Sequence, residues 1–334
     1  MLVQAGLDPD EGRAEDGAAL DAAAAGTARL RVSTFGPPTV SLGRYHFTPR
    51  GDPAGGVRLA RRLTGGRVWA AGPGFVTVTL ALPGREALAP GRTPPLRPEQ
   101  VPNRAVRGVL RGLERLGVPA LYPGRDLLTA GGRLLGTVAF EEDARGAVLC
   151  ETILGVGADV ATLARRLDAV DPDGVVTAPA YGAAEATSVG EILGRIPPLA
   201  ELADVLAGGH AAALGTAVAR REREPLAAVG GAAWVAARRP DAALDRRGLA
   251  ATQLGVVECR FRVADGRLAA IAIGGDVIAP SAGMAALEAA LVGCPLERGA
   301  LARAIERALA APGCFLLGVR PPDALADAIL GGAG

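Results

Sequence analysis

Hydrophobic and polar positions along this chain follow two different periods, and the change of period separates strand-like from helix-like stretches. The apolar, β-branched run Phe75–Leu82 predicts a buried strand. Between Val106 and Leu116 apolar residues recur every three or four positions, which predicts one amphipathic helix over residues 99–116. Gly117 and Pro119 then end that helix. The chain therefore alternates strands and helices rather than repeating one element.

The same criteria predict the remaining elements. Strands are predicted over residues 30–32, 39–42, 57–60, 127–128, 133–140, 147–154, 255–263 and 267–273. Helices are predicted over residues 160–167, 199–214, 284–292, 301–309 and 324–330. The pairs Gly131-Gly132 and Asp265-Gly266 indicate hairpin turns. We therefore expect four segments: a flexible N-terminal segment (1–26), a main domain (27–219), a charged linker (220–247) and a small α+β domain (248–334).

Composition narrows the class of protein. Hydrophobic residues make up 49% of the 334 residues and aromatic residues only 3%, so Leu, Val, Ala and Ile must build the core. The net charge of +1 argues against a general nucleic-acid-binding role. The 4 cysteines show no C-x-x-C spacing, which argues against a zinc site and against a disulfide scaffold. No secretory signal or membrane-length apolar run is evident, so we expect a cytoplasmic protein without membrane contact.

The segment Arg61-Arg62-Leu63-Thr64-Gly65-Gly66-Arg67 is the strongest candidate for a binding site. A predicted strand runs into a Gly-Gly turn flanked by arginines, and Gly72-Pro73-Gly74 follows. Such a turn allows backbone amides to approach a phosphate, and guanidinium groups can bind it in bidentate fashion. The chain contains no lysine. Any chemistry that needs a lysine amine of this protein is therefore excluded.

Three segments in order carry a resemblance to a known family. They read LRVSTFGPPTVSLGR (30–44), RRLTGGRVWAAGPG (61–74) and YPGRDLLTAGGRLLGTVA (122–139). Together they resemble the lipoate–protein ligase A family, within the group of biotin ligases, lipoate ligases and octanoyltransferases. Near the C-terminus, Gly274-Gly275-Asp276 and the helix after it are similar to the accessory domain of long lipoate ligases.

The resemblance implies an α+β fold, in which a mixed β-sheet with flanking helices is joined to the small accessory domain. It also implies a lipoate or octanoate substrate bound in an apolar tunnel. ATP with Mg²⁺ would convert the acid to an acyl-adenylate. A lysine of a lipoyl carrier domain, in a 2-oxoacid dehydrogenase complex or in the glycine cleavage H protein, would then accept the acyl group.

The resemblance assigns roles to particular positions. Arg133 takes the place of the family lysine and is the expected catalytic residue. The positions that would contact substrate or nucleotide share the arginine–glycine character of the family motifs; they are Arg62, Gly65, Gly66, Arg67, Gly74, Arg125 and Asp126. No protein-held metal is expected.

Departures from the family pattern leave two alternatives open. Ala71-Gly72 stands where the family has His-Asp, Phe75 stands where many members have Asn, and Cys150-Glu151 replace a His-Gly pair. The first alternative is a non-catalytic relative, or pseudoenzyme, that binds an acyl group or a carrier domain. The second is a cysteine-dependent octanoyl or lipoyl transferase with Cys150 as nucleophile, although an apolar strand around Cys150 favours a buried, inert thiol.

Overall fold

The elements follow the predicted alternation of strands and helices. The computed structural model describes residues 1–49, 56–94, 96–161, 185–222, 231–238, 241–319 and 323–333. The strands are β1 (Leu2–Leu7), β2 (Arg29–Phe35), β3 (Thr39–Leu42), β4 (Arg58–Arg61), β5 (Trp69–Ala71), β6 (Phe75–Leu82), β7 (Ala120–Gly124), β8 (Leu127–Ala130), β9 (Arg133–Glu142), β10 (Val148–Gly155), β11 (Arg246–Ala251), β12 (Val256–Ala264) and β13 (Arg267–Gly275). The helices are α1 (Pro9–Ala24), α2 (Val101–Ala105), α3 (Arg107–Arg115), α4 (Val189–Leu193), α5 (Leu199–Leu214), α6 (Gly231–Ala236), α7 (Ser281–Leu291), α8 (Arg298–Leu309) and α9 (Asp323–Gly331).

A large mixed sheet organises the N-terminal part of the chain. Its strand order is β1-β2-β6-β10-β9-β8-β7, with β1 and β2 parallel and the other neighbours antiparallel. A small sheet of order β4-β3-β5 packs beside it, and the antiparallel sheet β11-β12-β13 belongs to the C-terminal domain. The predicted α+β class, with a mixed sheet and a small C-terminal domain, is confirmed.

Turn chemistry sets the pairing of the hairpins. Gly131 and Gly132 have φ angles of +58° and +79° and connect Ala130 directly to its pairing partner Arg133. Asp265 and Gly266 adopt φ angles of +51° and +71° in the equivalent position between β12 and β13. Two consecutive residues with positive φ form the tight turn whose twist matches paired strands. Both predicted hairpin turns are confirmed.

Helices α2, α3 and α5 cover one face of the large sheet and share its main hydrophobic core. Helices α3 and α5 pack closely against each other because glycines face each other where the two helices cross. A Cβ atom on Gly209 would lie 2.1 Å from the carbonyl oxygen of Gly108. The opposite face of the sheet is covered by the small sheet at one end and by α1 at the other, with separate apolar clusters at each.

The prediction of a flexible segment over residues 1–26 is wrong. Strand β1 pairs with β2, and α1 begins with a capping box in which Asp8 caps the helix. Ala19 and Ala23 are buried against the sheet, and the buried carboxylate of Asp16 pairs with Arg31. The sequence signal was weak because small alanines, rather than large apolar residues, form the buried face of this helix.

Two other expectations need correction. The helix predicted over residues 99–116 is divided into α2 and α3 at Val106, after a short 3₁₀ turn at Pro98–Gln100. The charged linker predicted over residues 220–247 contains α6, and the indole Nε1 of Trp234 donates to the carbonyl oxygen of Arg61 at 3.1 Å.

The helix predicted over residues 160–167 lies largely outside the described residues. In the described ranges, no helix has the length and apolar character needed to cross a membrane.

Replacing Asp16 tests whether α1 is an integral part of the domain. Asp16→Ala leaves the buried guanidinium of Arg31 without its carboxylate, and we expect a loss of about 3 kcal/mol in the free energy of unfolding. Asp21 lies on the same helix with its side chain 73% exposed in a surface ion pair with Arg145. Asp21→Ala, the control, should cost at most about 1 kcal/mol. Equal losses for both variants in urea titrations would contradict this packing of α1.

Candidate functional site

The guanidinium group of Arg62 forms hydrogen bonds within the segment Thr64-Gly65-Gly66-Arg67, which we call the glycine loop. Its Nη1 donates to the carbonyl and hydroxyl oxygens of Ser41 at 2.8 and 3.2 Å, and its Nη2 donates to the carbonyl oxygens of Gly65 and Arg67 at 3.0 and 2.7 Å. Its Nε donates to the hydroxyl of Thr64 at 3.3 Å. A guanidinium has five N–H donors, so these five bonds use its full capacity. Arg62 therefore shapes the loop and has no donor left for a ligand.

A buried carboxylate completes the environment of Arg62. Glu151 Oε1 lies 3.8 Å from Arg62 Nε, and its Oε2 accepts from the hydroxyl of Thr64 at 3.1 Å. Burial raises the pKa of Glu151 even though the positive charge of Arg62 opposes that shift. The sequence analysis named Glu151 only as a departure from the family pattern. A single acidic residue inside the apolar strand VLCETILG was the available signal for a buried polar partner.

The Gly65-Gly66 turn lies against the C-terminal domain. The amide of Gly66 donates to the carbonyl oxygen of Val277 at 2.7 Å. A Cβ atom on Gly65 would lie 2.3 Å from that same oxygen, and Gly66 has a φ angle of +80°. Both glycines are therefore required by close backbone approach and by the turn. In this arrangement the amide of Gly66 is bound to the other domain and does not face a ligand.

Arg67 and Asp126, which the family motifs assigned separately to the site, form one buried ion pair. Arg67 Nε donates to Asp126 Oδ2 at 2.7 Å, and Asp126 is fully buried. Burial raises the pKa of Asp126 to about 6 despite the attraction of Arg67, and the nearby charge of Asp276 acts in the same direction. Among the described residues, Asp126 Oδ1 has no hydrogen-bond partner, which makes the ionised form costly.

Polar contacts around the glycine loop join the two domains. His46 Nε2 lies 3.0 Å from Asp276 Oδ1, and the hydroxyl of Tyr45 donates to the carbonyl oxygen of Ala279 at 2.8 Å. The amide of Ser281 donates to Glu141 Oε1 at 3.0 Å. Burial raises the pKa of Glu141 to about 6, against the opposing effect of Arg44. The sequence analysis did not find these contacts, because their partners lie more than 100 residues apart.

Gly74 anchors the end of the small sheet. Its carbonyl oxygen accepts from the amides of Val156, Gly157 and Ala158 at 2.8, 2.9 and 3.2 Å. A Cβ atom on Gly74 would lie 2.7 Å from that of Ala158, and the φ angle is +86°. Gly74 thus joins the segment after β5 to the segment after β10. Its observed role is structural.

Arg133 lies on the surface, away from the glycine loop. Its side chain is 41% exposed, and its guanidinium pairs with Glu191 and donates to the carbonyl oxygen of Ala186. Gly66 approaches β9 at Ala139, where a Cβ atom on the glycine would lie 3.0 Å from the alanine Cβ. Arg133 is six residues before Ala139 on that strand, or about 20 Å away. The structure therefore does not bring Arg133 to Gly65 and Gly66.

Cys150 is enclosed in the main core. Its side chain is 3% exposed, and burial raises the pKa of its thiol to about 12. The thiolate is the reactive form of cysteine, and such surroundings suppress it. Among the described residues, no group of three or more His, Cys, Asp or Glu side chains could hold a metal ion.

A cleft between the two domains brings together side chains that can bind an acid. Its volume is about 320 Å³, and Arg97 and Arg125 line it beside Glu99 and Tyr122. The remaining lining residues come from both domains; they are Pro102, Gln253, Leu254, Ile278, Leu317 and Gly318. Ile278 also lies next to Gly66 and follows Val277 in the chain, so the cleft adjoins the glycine loop.

The backbone fixes the position of Arg125 in this cleft. Arg125 has a φ angle of +63°, and the hydroxyl of Tyr122 donates to its carbonyl oxygen. The side chain is exposed at the turn between β7 and β8. Arg125 is the expected site residue whose guanidinium lines a cavity. The contributions of Arg97 and Gln253 could not be predicted, because the cleft exists only where the two domains meet.

Comparisons with known proteins agree with this architecture. A profile of the family described as bacterial lipoate protein ligase C-terminus matches residues 248–311. Octanoyltransferase LipM from Symbiobacterium thermophilum is 30% identical over 217 residues, which cover 56% of this chain and 74% of that protein. The crystal structure of P. falciparum LipL1 in complex with lipoate has a TM-score of 0.69 and 13% identity and covers 99% of both chains.

A further structural neighbour is a bi-partite lipoate protein ligase from Thermoplasma acidophilum, described together with its E2 lipoyl domain. Its TM-score is 0.50 at 15% identity, and the match covers 70% of this chain and 90% of that one. The fold is that of lipoate protein ligases. The chain belongs to the lipoate ligase and octanoyltransferase family, which confirms the resemblance read from its motifs.

The carboxylate of Asp126 gives the protein a specific pH dependence. Its folded-state pKa of about 6 lies above the ordinary value of 3.8, so the folded protein binds more protons than the unfolded chain between those values. The contribution of Asp126 to stability therefore falls as pH rises through this window. We expect the difference in free energy of unfolding, wild type minus Asp126→Asn, to fall by roughly 2 kcal/mol from pH 4 to pH 6.

Urea titrations of both proteins at several pH values measure this difference. Subtracting the variant removes the contributions of the other carboxylates. A difference that stays constant or rises with pH would show that Arg67, rather than burial, dominates the environment of Asp126.

Proposed function

We propose that this protein binds a medium-chain carboxylic acid, lipoate or octanoate, between its two domains and transfers the acyl group to a lysine of a carrier domain. The observation that carries this proposal is the cleft that holds Arg97 and Arg125 in a chain of this family. Guanidinium groups bind carboxylates in bidentate fashion, and the side chains of Leu254, Ile278 and Leu317 offer an alkyl tail apolar contacts. The lysine that accepts the acyl group belongs to the partner, so its absence from this chain is no obstacle.

The acid must be activated before a lysine can attack it. ATP supplies this activation by forming acyl-AMP and releasing pyrophosphate, since adenylate is a good leaving group. Mg²⁺ would enter with the phosphates of ATP. Arg125 neutralises the carboxylate of the acid at the mouth of the cleft and holds it beside the glycine loop.

The size of the cleft limits what it can hold in this arrangement. A volume of about 320 Å³ is at the lower end for ligand pockets, which span about 300–1,000 Å³. It suits an acid of this size rather than a complete acyl-adenylate. Binding of the adenylate therefore requires Val277 to leave Gly66, which frees the amide of Gly66 to donate to a phosphate oxygen.

A second candidate function is binding without catalysis. The position of Arg133 favours it, because this replacement for the family lysine pairs with Glu191 on the surface. Arg62 and Arg67 are likewise engaged in internal contacts. Such a protein would hold an acyl group or a carrier domain as a regulator or an assembly factor. The buried thiol of Cys150 gives the cysteine-dependent alternative no support.

Pyrophosphate exchange with ATP separates the two candidates. The assay is run with lipoate, octanoate and biotin, and calorimetry measures binding of a non-hydrolysable acyl-adenylate analogue to the same preparation. Exchange that depends on lipoate or octanoate supports the transferase. Binding of the analogue without exchange supports the non-catalytic protein, and the absence of both contradicts the two proposals together.

Arg125 is the residue whose loss should weaken acid binding most directly. We expect Arg125→Asn to weaken octanoate binding by about tenfold or more, because a charge-assisted hydrogen bond is lost. Asparagine tolerates the left-handed backbone at this turn, so the fold is preserved. Arg303→Gln removes an exposed arginine on α8 and serves as the control. Calorimetric titration that gives equal affinities for both variants would contradict this use of the cleft.

A further inference from the structure

The strongest unassigned feature is a row of arginines along α2 and α3. Arg104, Arg107, Arg111 and Arg115 recur at spacings of three and four residues, so they lie on one side of the helical segment. Arg107, Arg111 and Arg115 are exposed, and Arg104 is half-buried. The row covers twelve residues of helix, and its first and last members lie about 16 Å apart along the helix axis. We call these four residues the arginine stripe.

Charge within the stripe is not compensated. Among the described residues, none of the four forms an ion pair with a carboxylate, although Glu114 is exposed on the same helix. Arg107 donates to the side-chain oxygen of Asn103, and Arg111 donates to the carbonyl oxygen of Ala212. Burial lowers the pKa of Arg107, and the like charges of Arg104 and Arg111 act in the same direction.

Several other surface arginines of this protein are paired with carboxylates. Arg133 pairs with Glu191, Arg145 with Asp21 and Asp143, and Arg195 with Glu201. Arg220 and Arg298 likewise pair with carboxylates. Exposed arginines elsewhere, such as Arg262 and Arg303, also lack a carboxylate partner among the described residues, but the stripe brings four arginines together on one side of a helical segment. An acidic surface placed against it would remove the repulsion among its members and gain Coulomb attraction to each of them.

The stripe begins close to the cleft in the chain. Pro102, at the start of α2, lines the cleft together with Arg97 and Arg125, and Arg104 follows two residues later. A partner seated on α2 and α3 would thus lie near the cleft. A polyanion such as nucleic acid is the less suitable occupant, because the net charge of the chain is only +1.

We infer that the arginine stripe is the docking surface for an acidic face of the acceptor protein domain, which presents its lysine to the cleft. This inference rests on the proposed function, since the cleft supplies the group that the lysine receives. Exposed charges of this kind mainly raise the rate of association and make it depend on salt.

Charge-removing variants test the docking surface. Arg107→Gln with Arg115→Gln removes two exposed charges outside the cleft, and Arg303→Gln with Arg307→Gln removes two exposed charges on α8 as the matched control. Association with a fluorescently labelled lipoyl domain of a 2-oxoacid dehydrogenase is followed by stopped-flow anisotropy at several salt concentrations. We expect the stripe variant to associate about tenfold more slowly at low salt and to lose most of the salt dependence, while the control matches the wild type.

Three outcomes would overturn the docking surface: equal association rates for the two variants, no association of the wild type with the lipoyl domain, or tighter binding of a 20-nucleotide DNA probe than of that domain. Octanoate binding is measured in parallel by calorimetry, so that a failure of the docking surface can be distinguished from a failure of the proposed acid site. Octanoate binding without lipoyl-domain binding contradicts the docking surface alone, and the reverse result contradicts the proposed acid site alone.

Discussion

The full engagement of the Arg62 guanidinium is the constraint on which the rest of this structure depends. Arg62 draws Ser41, Gly65 and Arg67 together and so fixes the path of the glycine loop between the small sheet and the large one. That path carries the amide of Gly66 to the carbonyl oxygen of Val277. A buried charge satisfied in this way is costly to displace. Arg62 therefore helps to position the C-terminal domain over the loop, together with the contacts that Tyr45, His46 and Glu141 make to that domain.

In the folded protein, different residues form the glycine loop and line the cleft, although the loop motif suggested that the same residues do both. Glycines and arginines in one loop indicated a place where phosphate binds. In the folded chain Arg62 stabilises the loop, and Gly65 and Gly66 allow the C-terminal domain to pack closely against it. The arginines that line the cleft are instead Arg125, in the turn after β7, and Arg97, which precedes α2. The proposed acid binding and the proposed adenylate formation would then require different positions of the two domains, since the cleft is small and the amide of Gly66 is engaged.

How far the sequence predicted this structure can be judged from particular elements. Strand β6 matches its predicted bounds because both faces of the sheet are covered, which leaves a continuous apolar run. Helix α1 was missed because alanines give little periodic signal, although its buried Asp16 pairs with Arg31. The roles of Arg62 and Arg133 could not be read from spacing. Whether a guanidinium meets a ligand depends on acceptors that the fold brings from distant parts of the chain.

The central claim is that the C-terminal domain engages the glycine loop through Gly66 and leaves it when an acyl-adenylate binds. Hydrogen exchange at the single amide of Gly66, followed by NMR, tests this claim most directly. The account predicts slow exchange in the free protein, because the amide is bonded to Val277, and a change in its rate and chemical shift with an acyl-adenylate analogue. Fast exchange in the free protein, or a signal unaffected by the analogue, would contradict it.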